Sequence, residues 1–270
     1  MNRIEQRFHE LGGRGEKALI TYLMAGDPDL ATTGRLVRAM ERAGADLIEL
    51  GIPFSDPVAD GPVIQRGSQR SLQQGTRPAA IIELVAELRA GGLAVPLLFM
   101  TYYNPVLQYG LGEFTRDAAR AGVDGLIVPD LPREEAGALE GYCRTAGVLL
   151  IPLVAPTSIP GRLPVVINGA AGFIYCITVT GVTGPAQVTE SLAAMSSGIR
   201  EYCTLPIAFG FGIATPDDAA VAARHADAVV VGTAFVRLVE EYPEPAALEE
   251  AVATKTTALK EALRRPPQEV

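Results

Sequence analysis

The chain has no tryptophan, three cysteines, two histidines and three lysines among 270 residues. These shortages exclude several kinds of chemistry. Cys143, Cys176 and Cys203 are odd in number and far apart, which argues against a disulfide framework and fits a reduced, cytoplasmic protein. None has a partner at metal-ligand spacing, so no metal site is expected. His9 and His225 lie in helical patterns away from strand ends, which leaves a histidine base or a histidine metal site without support. Lys17, Lys255 and Lys260 do not follow any predicted strand, so a Schiff-base mechanism lacks its nucleophile. Positive charge is also scarce. A net charge of −8 and a pI near 4.9 argue against a nucleic-acid partner. No apolar run reaches the roughly 18 residues that would span a membrane. The opening MNRIEQRFHELGG lacks the apolar core of a secretory signal and reads as a short amphipathic helix, with Ile4, Phe8 and Leu11 on one face.

What the chain does have is alternation. Eight short apolar runs read as strands: Ala18–Met24, Asp46–Leu50, Val95–Met100, Gly125–Val128, Val148–Leu153, Gly172–Ile177, Pro206–Phe209 and Ala228–Val231. Unbroken apolar runs suit parallel strands buried on both faces. Helical patterns lie between them, over Leu30–Ala43, Arg77–Ala90, Leu111–Ala121 and Arg133–Ala146, each closed by glycine. Thr215-Pro216 opens another, with threonine as N-cap and proline at N1. The units AGAD, AGVD, AGVL and RHAD each precede a strand. The pattern predicts one (β/α)8 barrel domain over residues 1–270, an α/β fold with an extra N-terminal helix. A doubly wound sheet is the rival, but it would not usually need eight units. Ser158–Ala171 fits least well. Pro164 lies a turn inside the expected fifth crossover helix and should shorten or distort it.

In such a barrel the chemistry sits at the C-terminal ends of the strands. ELGIPFSDPVADGPVIQ, residues 49–65, places Glu49 near the end of an apolar strand and Asp60 on the loop beyond it. Burial would raise the pKa of Glu49 and suit it to acid–base work. A structural carboxylate paired with a neighbour is the alternative. Asn104, Asp130, Tyr175 and Thr183 also follow or end strands. GFGIATP (Gly210–Pro216) and VVGTAF (Val230–Phe235) place glycines after the last two strands, where these barrels seat phosphate on backbone N–H groups. The residues alone therefore describe a barrel enzyme acting on a small phosphorylated molecule by carboxylate chemistry.

ELGIPFSDPVADGPVIQ, FMTYYNP, LIVPDLPREE, LVAPT, FIYCITVTGVTG and GFGI together resemble the tryptophan synthase alpha chain family, from about residue 4 to residue 262. The resemblance implies cleavage of indole-3-glycerol phosphate to indole and glyceraldehyde 3-phosphate, without a cofactor, in tryptophan biosynthesis. It implies that Glu49 protonates the indole ring, that Asp60 holds the indole N–H and stabilises the cationic ring, and that Tyr175 stands beside the reacting side chain. Phosphate would rest on Gly184, Gly212, Gly232 and Thr233, and the indole in a slot of Tyr22, Met100, Ile127 and Phe211. A pyridoxal-phosphate beta chain would complete an αββα complex, with Asp56, Pro57 and Asn104 toward that partner. Thr183 would lie on a loop that closes over substrate. The chain departs from the family pattern at Thr233 (usually serine), at Tyr22 (usually phenylalanine) and at Pro185-Ala186-Gln187, where an arginine is common. The last departure leaves room for a stand-alone, indole-releasing lyase. A catalytically quiet barrel that activates a beta chain is opposed by the joint presence of Glu49, Asp60 and Tyr175.

Overall fold

The computed structural model describes residues 1–158, 161–177, 185–210 and 212–264. Its parallel strands are β1 (Ala18–Met24), β2 (Leu47–Gly51), β3 (Leu97–Met100), β4 (Gly125–Ile127), β5 (Leu149–Leu150), β6 (Leu153–Val154), β7 (Ile174–Ile177), β8 (Ile207–Gly210) and β9 (Ala228–Val231). They hydrogen-bond in the order β5-β4-β3-β2-β1-β9-β8-β7-β6. The two ends of that order, β5 and β6, are halves of the expected fifth strand, separated only by Ile151 and Pro152. The Ile151 N–H still donates to Leu126 O of β4 at 2.9 Å. Pro152 has no N–H, but its carbonyl accepts from Tyr175 N of β7 at 3.0 Å. The chain itself thus joins the ends of the sheet, and eight expected strands become nine by one proline break.

Helices cover the outside of the sheet. Leu30–Arg42, Pro78–Ala90 and Leu111–Ala121 fall within a residue of expectation. Gly122 and Gly147 close two helices in the left-handed conformation that only glycine adopts without strain. The expected Arg133–Ala146 helix begins as a 3-10 turn, Arg133–Glu135, and becomes α-helical at Gly137. Thr215 caps its helix with a full capping box. The fifth crossover is indeed short, a five-residue helix over Leu163–Ile167.

The N-terminal helix, Arg3–Gly13, seals the bottom of the barrel. Its buried Ile4, Phe8 and Leu11 pack against the inward side chains Ile20, Leu47, Leu98 and Phe173. The recurring strand-start unit has a physical reason at this end. Asp46, Asp124 and Asp227 each stand one residue before a strand and accept a backbone N–H from the first or second residue of the neighbouring one. Asp46 Oδ2 accepts from Leu19 N at 2.7 Å, Asp124 Oδ2 from Leu97 N at 2.9 Å and Asp227 Oδ2 from Ile207 N at 2.9 Å. Each also has basic partners: Lys260 and Arg7, Arg89 and Arg3, Arg200 and Lys17. AGVL has leucine in the aspartate's place, and it precedes the broken strand.

Candidate active site

The upper end of the barrel opens into a cavity of about 540 Å³. β2 brings Glu49 into it from below. Glu49 lies level with Tyr22 of β1 and Leu98 of β3. It is 0% exposed, and neither carboxylate oxygen has a hydrogen-bond partner among the described residues. Burial pushes its pKa up to about 8. The alternative of a structurally paired carboxylate is therefore set aside, because nothing pairs with it.

Asp60 reaches the same cavity from the loop after β2. The loop folds on itself: Asp60 N donates to Pro57 O at 3.0 Å and Val58 N to Asp56 O at 2.9 Å. Burial raises Asp60 to about 6, and the Tyr102 hydroxyl beside it pulls in the other direction. Tyr102 was not singled out in the sequence, yet it organises this loop. Its hydroxyl accepts from Ala59 N at 3.0 Å, and its ring packs on Phe54 with centroids 5.4 Å apart. The sequence signal was its place in FMTYYNP, directly after a strand.

Two tyrosines flank the carboxylates by the same device. Tyr22 leans over Gly51 at the end of β2, and Tyr175 over Gly210 at the end of β8. In both cases the glycine lies two residues beyond the tyrosine's partner in the next strand. A methyl group on Gly51 would meet the Tyr22 hydroxyl at 2.0 Å, and one on Gly210 the Tyr175 hydroxyl at 2.6 Å. Glycine is what lets each ring occupy the cavity edge. Burial first, and then the charges of Asp60 and Glu49, hold both hydroxyls in the neutral form.

On the β8–β9 side of the cavity, Gly212, Gly232 and Thr233 line it, and helix Thr233–Glu241 starts there. Its free N–H groups and dipole suit an anion. An ion network ties this helix to the Asp60 side. Arg70, on helix Pro62–Gln73, grips Asp27 at 2.8 and 2.7 Å and Glu240 at 2.7 Å, and Arg66 adds bonds to Glu240 at 2.8 and 2.9 Å. Met100 lines the cavity. Ile127, level with Met100 in the ladder, is fully buried in the cluster that holds Tyr175 and against which Met100 packs. Thr183, Gly184 and Phe211 lie outside the described residues. Asp56 and Asn104 are exposed and Pro57 half-exposed on the loops that follow β2 and β3. Lys255 and Arg237, which the sequence did not mark, also line the cavity. Among the described residues, no group of three or more histidines, cysteines or acids could hold a metal. No described helix is long and apolar enough to cross a membrane.

Residues 8–265 match the family model described as tryptophan synthase alpha chain. The tryptophan synthase alpha chain of Citrifermentans bemidjiense is 51% identical over 262 residues, covering 97% of both chains. That of Carboxydothermus hydrogenoformans is 46% identical, covering 96% of this chain and 99% of its own. The crystal structure of the alpha chain from Legionella pneumophila subsp. pneumophila superposes with a TM-score of 0.91 at 32% identity, covering 100% of both chains. A ligand-free tryptophan synthase from M. tuberculosis gives 0.87 at 32% identity, covering 98% of this chain and 100% of its own. Agreement in sequence over almost the full length, with agreement in fold, places this chain in the tryptophan synthase alpha chain family.

Proposed function

We propose that Glu49 and Asp60 divide the work of the family reaction, with Glu49 as the acid and Asp60 as the anion. The chain cleaves indole-3-glycerol phosphate to indole and glyceraldehyde 3-phosphate. That cleavage needs a proton on the ring carbon that bears the side chain, a counter-charge for the cationic ring and a base for the glycerol hydroxyl. At neutral pH Glu49 retains its proton and Asp60 has lost its own, so the two acids suit opposite roles. Glu49 gives its proton to the ring carbon. Asp60 faces the ring N–H and stabilises the positive charge that forms. The Glu49 carboxylate left behind then takes the hydroxyl proton as the carbon–carbon bond breaks. The electron pair of that bond returns to the ring, which leaves as neutral indole beside the new aldehyde. Tyr175 and Tyr22 bound the slot as neutral hydroxyls, with Met100 on its apolar wall. Gly212, Gly232 and Thr233 seat the phosphate, with Thr183, Gly184 and Phe211 as further contacts assigned from the sequence.

The single observation that carries this reading is the unpartnered, fully buried Glu49 in a cavity shared with Asp60. The family works with a beta chain. Asp56, Pro57 and Asn104 are proposed as its contact, supported by a rim that also exposes Val58 at 82% and Leu107 at 49%. Three free thiols support the cytoplasm as the compartment.

The test is release of glyceraldehyde 3-phosphate from indole-3-glycerol phosphate, with and without a beta chain, across pH. We expect kcat/KM to rise near pH 6 as Asp60 ionises and to fall near pH 8 as Glu49 loses its proton. No turnover in either condition would overturn the lyase reading. A profile still rising above pH 9 would overturn the role of Glu49.

A further inference from the structure

We propose that Arg237 and Lys255 form an outer cationic collar at the phosphate end of the cavity, holding the substrate's phosphate group with the backbone seat at Gly212 and Thr233. The inference rests on reading the cavity as a site for indole-3-glycerol phosphate. Both cations line the cavity that holds Glu49 and Asp60. They come from different helices. Arg237 is four residues past Thr233 on Thr233–Glu241, so it lies one turn along the same face. Lys255 is on Pro245–Arg264, three residues past Val252 and four before Leu259, both 0% exposed. It therefore flanks the buried stripe, a position from which a lysine stem packs and its amine reaches polar space.

Neither cation has a hydrogen bond or an ion pair with any described residue. The contrast with the other lysines is direct. Lys17 pairs with Asp227 and Lys260 with Asp46, both at the bottom of the barrel. In a chain of net charge −8, with 31 acids, two unpaired cations at one cavity mark a place where a negative charge belongs. A phosphate monoester brings between about one and a half and two charges at neutral pH, whereas a helix N-terminus offers roughly half a charge. The collar supplies most of the missing counter-charge. It also gives direction. The Asp60 carboxylate repels the phosphate from one end and the collar draws it to the other, so the indole ring enters facing the acids. Glu241, one turn beyond Arg237, lines the same cavity and opposes phosphate binding.

The collar contacts the non-reacting end of the substrate, so it acts on KM rather than kcat. The experiment uses the full chain with its beta chain. K255M keeps the apolar stem and should raise KM for indole-3-glycerol phosphate about fivefold, with R237M giving about twofold and kcat within about twofold of wild type in both. K255R should restore KM. E241Q should lower KM about twofold, the opposite sign. Raising salt from about 0.02 to about 0.3 M should weaken substrate capture in wild type more than in K255M. Binding of sn-glycerol 3-phosphate by calorimetry reads the collar without turnover, and K255M should weaken it in the same ratio. Unchanged KM and unchanged glycerol phosphate binding in both K255M and R237M would overturn the collar. A wild-type chain without turnover but with collar-dependent glycerol phosphate binding would overturn the lyase reading and leave the collar standing.

Discussion

Asp46 and Glu49 stand three residues apart, at the foot of β2 and within it, and both are 0% exposed. Their surroundings differ completely. Asp46 takes 2.7 Å bonds from Leu19 N and from Lys260 Nζ, and Arg7 lies 3.0 Å from its other oxygen. Glu49 has no partner among the described residues. A buried carboxylate that is paired with cations serves the fold, because its charge is compensated where it stands. One that is left bare keeps a proton it would lose in water, and that proton can be given to a substrate. One strand thus carries a paired acid at its foot and, near its mouth, the bare one proposed as the proton donor.

Glu49→Gln breaks the comparison at the reactive end and should have the largest effect. It removes the transferable proton while keeping the shape, so kcat should fall by about 10²- to 10⁴-fold with substrate binding largely kept. Its stability should move the other way. The folded pKa of about 8 exceeds the ordinary carboxylate value of 4.5. The folded state therefore binds the proton more tightly than the unfolded one, and wild type loses stability as pH rises between those values. The loss approaches about 1.4 kcal/mol per pH unit and is complete above the folded pKa. Glutamine does not titrate, so the variant should gain on wild type from pH 5 to pH 8 in urea melts at several pH values. Equal pH dependence in the two proteins would mean that Glu49 is ionised as in water.

Asp46→Asn breaks the other end. It leaves Lys260 buried with Glu16 at 3.7 Å and the Lys17 carbonyl at 3.1 Å as its remaining partners. Urea denaturation should show a loss on the order of 3 kcal/mol, since removing one member of a buried pair strands the other. The kcat of the molecules that remain folded should stay within about twofold of wild type, because Asp46 lies about 10 Å below Glu49 along the strand and does not line the cavity. A large loss of kcat without a loss of stability would erase the distinction between the two acids.

Legibility in the sequence follows the same division. The barrel was readable because local signals recur: apolar runs throughout, helix-closing glycines between many of them, and an aspartate before three of the strands. Glu49 was readable because an acid inside an apolar strand breaks that pattern. The break at Pro152 was missed because Val148–Leu153 is apolar throughout, and only the tertiary ladder tells which side of the proline loses its donor. Lys255 looked like any helix residue beside an apolar stripe. Its meaning depends on which helix packs beside Thr233–Glu241, which no local pattern states.

Tyr102 was missed for a related reason, since Tyr102 and Tyr103 are equivalent on paper and only the first turns toward the Asp60 loop. Tyr102→Phe gives the smallest and finest test of the contrast between paired and bare acids. The Tyr102 hydroxyl is the partner that lowers the pKa of Asp60 against the rise from burial. Without it Asp60 moves closer to the bare condition of Glu49, and the rising limb of kcat/KM should shift upward from about 6 by a fraction of a pH unit. The substrate's own phosphate also ionises near pH 6, at about the same place. That ionisation belongs to the substrate and cannot follow a change of side chain. The loss of the 3.0 Å bond from Ala59 N should also loosen the loop and cost about fivefold in kcat/KM at pH 7. A rising limb that stays fixed in Tyr102→Phe would assign it to the phosphate and leave Asp60 ionised throughout, whereas a limb that moves while the falling limb near pH 8 stays in place would assign the two limbs to the two acids.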